Sequence, residues 1–215
     1  MTFIIAIQLN DSIIVAADNK EIILKEDQPN QLIDNLTSKI HAWDEGIITG
    51  TGESYVINRS IALFKEVPQL NLTLLPYCLE LSRQVREHEI GADHFQIQNT
   101  KLLCSSYKEH CAQLYKIERV DQKRYTMTAI EPMNISIWMF NPNVESITLD
   151  LKSLYLDLKD YSAFANQTDW MNHYINRIAP IYQKQSQVDS LMSQSKDEYV
   201  FGHIPNTHNK AIELK

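Results

Sequence analysis

The apolar positions of this chain change period several times along its length. Residues 2–9 and 12–18 are two short runs dominated by Ile, Val and Ala, with only Asn10-Asp11 between them. That pattern predicts a largely buried β-hairpin with a two-residue turn. A third extended piece is expected at 21–25, then a polar loop over 26–35. A second hairpin is expected over 38–52, turning at Asp44-Glu45-Gly46 with Gly46 in a left-handed position. From Glu53 the period becomes helical. Val56, Ile57, Ser60, Ile61, Leu63 and Phe64 form one stripe, and Pro68 follows as a stop. A second helix is expected over 76–89, with Pro76 at its start and Gly91 at its end.

Strand-like runs return at 101–105, 112–119, 124–130 and 135–140, with a turn at Asp121-Gln122-Lys123. Ile147, Leu149 and Leu151 alternate as in a strand, while 154–160 fits either type. A helix over 169–185 is expected, kinked or ended by Pro180. A last strand is expected at 199–204, and residues 206–215 read as a polar tail. Hairpin-linked strands favour antiparallel sheets, and helices grouped in this way favour outer layers. The expected fold class is α+β, a four-layer αββα sandwich of two antiparallel sheets flanked by helices. With no repeat or linker in view, residues 1–205 read as one domain.

Composition narrows the function classes. Of 215 residues, 44% are apolar, enough for a substantial core. The net charge of −7 leaves no basic footprint for nucleic acid. No apolar run approaches the ~20 residues of a membrane span. The first eighteen residues are too short and too poor in basic residues for a secretory leader, so the expected location is the cytoplasm. Three cysteines, Cys78, Cys104 and Cys111, do not make a disulfide framework, and no His/Cys spacing suits a metal. No P-loop or dinucleotide fingerprint is present, so no cofactor is expected.

The chemistry with most promise sits at the start. Removal of Met1 would leave Thr2 with a free α-amine beside its own hydroxyl. Such an amine titrates at roughly 7.7–8.0, so near neutral pH it can serve as the base for an otherwise weak nucleophile.

The order of motifs after Thr2 resembles the proteasome β-subunit family, the threonine-type N-terminal nucleophile (Ntn) hydrolases. The similarity is carried by Met1-Thr2 and its β-branched strand, by Ile14-Val15-Ala16-Ala17-Asp18, by Ser38-Lys39-Ile40, and by Ile47-Ile48-Thr49-Gly50-Thr51-Gly52 running into a helix. The resemblance implies the Ntn-hydrolase fold and four site residues. Thr2 would be the nucleophile and Lys39 the nearby positive charge. Asp18 would pair with that lysine, and Gly52 would offer its N–H to the developing oxyanion. It also implies a peptide or unfolded-protein substrate and a homo-oligomeric ring, and leaves open whether an ATPase partner feeds it.

The chain departs from the family pattern in three places. Glu53-Ser54-Tyr55-Val56 follows Gly52 where small residues are usual. Glu131-Pro132-Met133-Asn134-Ile135-Ser136 stands where a Ser/Gly-rich stretch would orient the amine. Asp189, Ser190 and Ser193 are near, but not at, the family's spacing. Two other functions therefore stand beside the peptidase: a catalytically impaired structural or regulatory homologue, and an Ntn amidohydrolase acting on a small amide.

Overall fold

In the computed structural model the described residues are 2–18, 20–24, 32–36, 38–67, 71–108, 111–120, 124–139, 143–189, 192 and 199–203. The chain divides into two compact units, Met1–Ile40 with Glu131–Lys215, and His41–Ile130.

In the first unit the opening hairpin forms as expected, from β1 (Ile4–Gln8) and β2 (Ile13–Asp18). Leu9 N–H reaches Ser12 C=O at 2.9 Å, which closes the two-residue Asn10-Asp11 turn. Every residue of both strands is buried. Phe3, Ile5, Ile7, Leu9, Ile14 and Ala16 line one face and pack on helices, while Ile4, Ala6, Ile13, Val15 and Ala17 on the other are at most 1% exposed. Burial on both faces explains why the runs are nearly continuous rather than alternating in polarity. β10 (Asn134–Trp138) pairs with β1, and β11 (Tyr199–His203) with β2, giving the antiparallel order β10-β1-β2-β11.

The long helix α5 (Gln167–Val188) lies on this sheet through Trp170, Tyr174, Ile178, Ile181 and Tyr182, one stripe at helical spacing. Asn166 caps it by accepting the Asp169 N–H at 2.9 Å. Pro180 lies inside α5 and does not end it: Pro180 and Asn176 are both exposed, so the carbonyl that loses its partner can be hydrated. The second correction concerns residues 147–151. They are not a strand but a 3₁₀ turn, Glu145–Ile147, leading into α4 (Thr148–Leu156). Ile147, Leu151 and Leu154 follow helical spacing into the core, and Leu149, which completed the alternation, is 80% exposed.

A two-stranded antiparallel ribbon joins β3 (Lys20–Leu24) to β4 (Leu32–Leu36). The polar loop expected over 26–35 is thus cut short. Asp34 and Asn35 are poor strand formers, but a paired partner overrides that preference. The remainder of that loop, the turn at 121–123, Pro68 and the tail after Pro205 lie outside the described residues.

The second unit is a five-stranded antiparallel sheet ordered β5-β6-β7-β8-β9. Its strands are β5 (His41–Trp43), β6 (Gly46–Thr51), β7 (Lys101–Lys108), β8 (Cys111–Val120) and β9 (Arg124–Ala129). Residues 38–40, expected to open this hairpin's first strand, have no regular structure. Gly46 is not left-handed, because positive φ among the described glycines belongs to Gly52 and Gly91. Space is the reason for Gly46, since a Cβ would lie 2.3 Å from the Ser105 carbonyl oxygen.

Two helices cover one face of this sheet, α1 (Ser54–Lys65) and α2 (Leu75–Ile90); a short one, α3 (Phe95–Gln98), was not expected. Val56, Ile61, Phe64, Leu75 and Leu79 meet Trp43, Ile48, Leu102, Cys104 and Ile117 in one apolar cluster. Gly91 stops α2 with φ +98° and nothing around its missing Cβ, so conformation alone demands glycine there.

Candidate active site

The open end of the first hairpin brings three of the four expected residues into one neighbourhood. Asp18 is the last residue of β2 and faces Phe3 across the ladder, with its N–H on the Phe3 carbonyl at 3.1 Å. Its carboxylate turns back on the same residue: Oδ1 accepts the Phe3 N–H at 2.6 Å. The other oxygen, Oδ2, accepts from Lys39 Nζ at 2.9 Å. Thr2, half-buried, immediately precedes the pinned Phe3 amide.

Lys39 reaches this point from an irregular segment rather than from a strand. The Ser38 hydroxyl donates to the Ile40 carbonyl at 3.0 Å, and Ile40 is buried, which anchors the backbone on either side of the lysine. Burial defines the electrostatics. The Asp18 side chain is 2% exposed and that of Lys39 13%. Two charges withdrawn from water this far support one another, and removing one partner of such a buried pair costs about 3–5 kcal/mol.

A further residue completes the arrangement, and it was not foreseen in the sequence. Tyr182, in α5, is 1% exposed, with its ring tilted against that of Phe3 at 4.6 Å between centroids. Its hydroxyl donates to the Ala16 carbonyl at 2.7 Å and lies 3.2 Å from the Phe3 carbonyl. A tyrosine on the core stripe of a helix signals that its O–H must find a buried partner, but not which.

Gly52 belongs to the other unit. It follows β6 with φ +118°, and a Cβ would sit 2.5 Å from the Thr100 Cα. Thr100 Oγ1 accepts the Glu53 N–H at 3.0 Å and donates to the Gln96 carbonyl at 2.7 Å. Local packing therefore already requires glycine here. Glu53 caps α1 by accepting the Val56 N–H at 2.8 Å and pairs with Arg86 at 3.2 Å, so its position after Gly52 has a structural use.

The segment that departs from the family pattern, Glu131-Pro132-Met133, is a turn leading into β10, with Met133 at φ +57° and packed against the first unit's core. Asp189 caps the end of α5, its N–H on the Gln185 carbonyl; Ser190 and Ser193 lie outside the described residues. Cys104 is fully buried and burial pushes its thiol well above the usual range, which suits packing rather than reactivity. Among the described residues no group of three or more His, Cys, Asp or Glu could hold a metal, and no helix is long and apolar enough to cross a membrane.

Solved structures share this arrangement of elements. Anbu from Hyphomicrobium sp. strain MC1, solved as a Gly-1 mutant and a bacterial proteasome-like protein, matches with a TM-score of 0.66. The match covers 100% of this chain and 87% of Anbu, at 10% sequence identity. The chain has a proteasome-like fold. HslV from Trypanosoma brucei, a proteasome β-subunit homologue, matches with a TM-score of 0.52 over 94% of this chain and 99% of its own, also at 10% identity. The α+β class expected from the sequence, with two antiparallel sheets and flanking helices, is the class found. No protein-family model matches the sequence, and no curated protein matches it.

Proposed function

We propose that this proteasome-like chain is a threonine peptidase that cleaves peptide bonds through Thr2 once Met1 is removed. The observation that carries the reading is the Asp18 carboxylate, almost fully buried and shared between the Phe3 amide and the Lys39 ammonium. A buried ion pair contributes little net stability compared with apolar packing, so its placement one residue from a threonine favours a chemical use.

In this reading the Thr2 hydroxyl oxygen attacks the substrate carbonyl carbon while its proton passes to the α-amine, directly or through a water. Collapse of the tetrahedral intermediate releases the amine half of the peptide and leaves an ester on Thr2, which water then hydrolyses. The Lys39 charge favours the developing alkoxide, and Asp18 keeps that lysine protonated and aimed. The Gly52 N–H enters from the family resemblance as the oxyanion donor, a contribution of about 2.7–4 kcal/mol where such a donor is present. The same resemblance makes a homo-oligomeric ring the expected assembly; the cytoplasm as location and residues 1–205 as one domain are proposed from the sequence pattern alone.

One observation favours the impaired homologue instead: Met133, not a small residue, occupies the turn before β10 and is packed, half-buried, against the core. Intact mass and an epoxyketone probe decide between them. Protein purified from its native host should lack Met1 and gain one adduct at Thr2, and Thr2→Ala should abolish both the adduct and peptide turnover. Retained Met1, or no adduct at any pH between 6 and 9, would overturn the catalytic reading.

A further inference from the structure

We infer that Tyr182 is a positioning residue for the Thr2 nucleophile, acting through the backbone of Phe3. The inference rests on the reading of Thr2 as nucleophile.

Phe3 is held on every side. Its N–H is taken by Asp18 Oδ1 and its carbonyl by the Asp18 N–H. Its ring lies against the Tyr182 ring, and the Tyr182 hydroxyl donates to the Ala16 carbonyl on β2 while lying 3.2 Å from the Phe3 carbonyl, just before β1. The peptide plane joining Thr2 to Phe3 has its N–H fixed by Asp18, and the next plane has its carbonyl fixed by the ladder and approached by Tyr182. Thr2 is thereby left one residue beyond a clamped backbone. Its side chain and amine are the first groups of the chain with room to adjust, since Phe3 is 1% exposed while Thr2 is half-buried.

The two clamps differ in what they attach to. Asp18 ties the hairpin's end to Lys39, while Tyr182 ties that end to α5, a 22-residue helix whose Trp170, Tyr174, Ile178 and Ile181 are also buried. A rigid helix is a better reference frame than a strand end, which frays unless held. A nucleophile misplaced by about 1 Å can lose about 100-fold in rate with no change in what binds. The hydroxyl of Tyr182 ties α5 to the Ala16 carbonyl on β2 and sits 3.2 Å from the Phe3 carbonyl, so packing on α5 is passed to the backbone around Phe3.

Tyr182→Phe tests the inference, because it keeps the ring against Phe3 and removes only the hydroxyl. The readout is epoxyketone labelling of the Met1-processed protein over pH 6–9, separated into a maximal labelling rate and a half-saturating probe concentration. The expected result is a maximal rate lowered about 10- to 100-fold, with half-saturation unchanged, because the nucleophile is displaced and the contacts that hold the probe are not. Replacing Tyr182 with p-aminophenylalanine restores a donor on the same ring and should recover most of the rate. A folded Tyr182→Phe protein that labels like the wild type overturns the assignment. So does a rate loss that p-aminophenylalanine fails to recover, or a Tyr182→Phe chain that does not fold while the amino variant folds and labels slowly. Failure of the wild type itself to label is a separate result, and it removes the Thr2 reading along with this one.

Discussion

The two ends of the opening hairpin use the same residue type for different purposes. At the turn, Asp11 is half-buried, and its two carboxylate oxygens accept the N–H groups of Tyr161 and Ser162, both at 2.9 Å. Beside it Asn10 donates twice to Asp160. At the open end, Asp18 gives one oxygen to a backbone N–H and the other to Lys39. The turn is thus a clasp made of fixed backbone donors, with each oxygen already committed. The open end holds a side-chain cation next to a threonine. A carboxylate saturated by backbone amides can only hold structure, whereas one that shares its charge with a buried lysine can also hold a charge where a reaction needs it.

The largest effects should separate the two ends by activity. Asp18→Asn and Lys39→Met should each lower stability by about 3–5 kcal/mol and each remove Thr2 labelling. The double variant should regain part of the stability, because no lone charge is left behind, and regain no labelling. Urea unfolding beside the epoxyketone assay measures both. If the single variants label normally, the contrast between the ends collapses.

At the turn, Asp11→Ala leaves two backbone N–H groups without their acceptor. The expected cost is about 1–3 kcal/mol with labelling unchanged. The pH dependence sharpens the same point. Burial would raise the Asp11 pKa, but the N–H groups of Ser162 and Tyr161 and the Ser12 hydroxyl outweigh it and hold the carboxyl below its usual value. A carboxyl lowered on folding stabilises the folded state fully above its unfolded pKa of about 3.9, and that contribution is lost as pH falls through the folded value. The stability gap between wild type and Asp11→Asn should therefore hold constant from pH 7 to about 5 and narrow below about 4. A gap that widens on acidification would contradict the clasp. The smallest effect is at exposed Asn10, where Asn10→Ala should cost about 0.5–1.5 kcal/mol in the same unfolding measurement and leave labelling unaltered.

Much of the fold was legible because several elements carry a strong period. The hairpin, α1, α2 and α5 follow from spacing and from Pro76, Gly91 and Asn10-Asp11. The misreadings share a cause. Leu149 made 147–151 look alternating until packing chose Ile147, Leu151 and Leu154; Gly46 was judged by a backbone rule when space governed it. The site divided in the same way. Thr2, Asp18 and Lys39 were visible as residue types in an order, and the contact between Asp18 and Lys39 is present in the folded chain. Tyr182 was invisible as a site residue, because nothing local says that a helix residue 179 positions away will meet Phe3.

By itself the sequence determined where the chain would extend, coil and turn, and which residue types could carry acyl-transfer chemistry, because period and turn preference are local. Only the tertiary structure decided which carboxylate meets the lysine and which tyrosine fixes the strand end. Those contacts span 21 and 179 residues, and such pairings are set by the packing of sheet and helix rather than by any neighbouring residues.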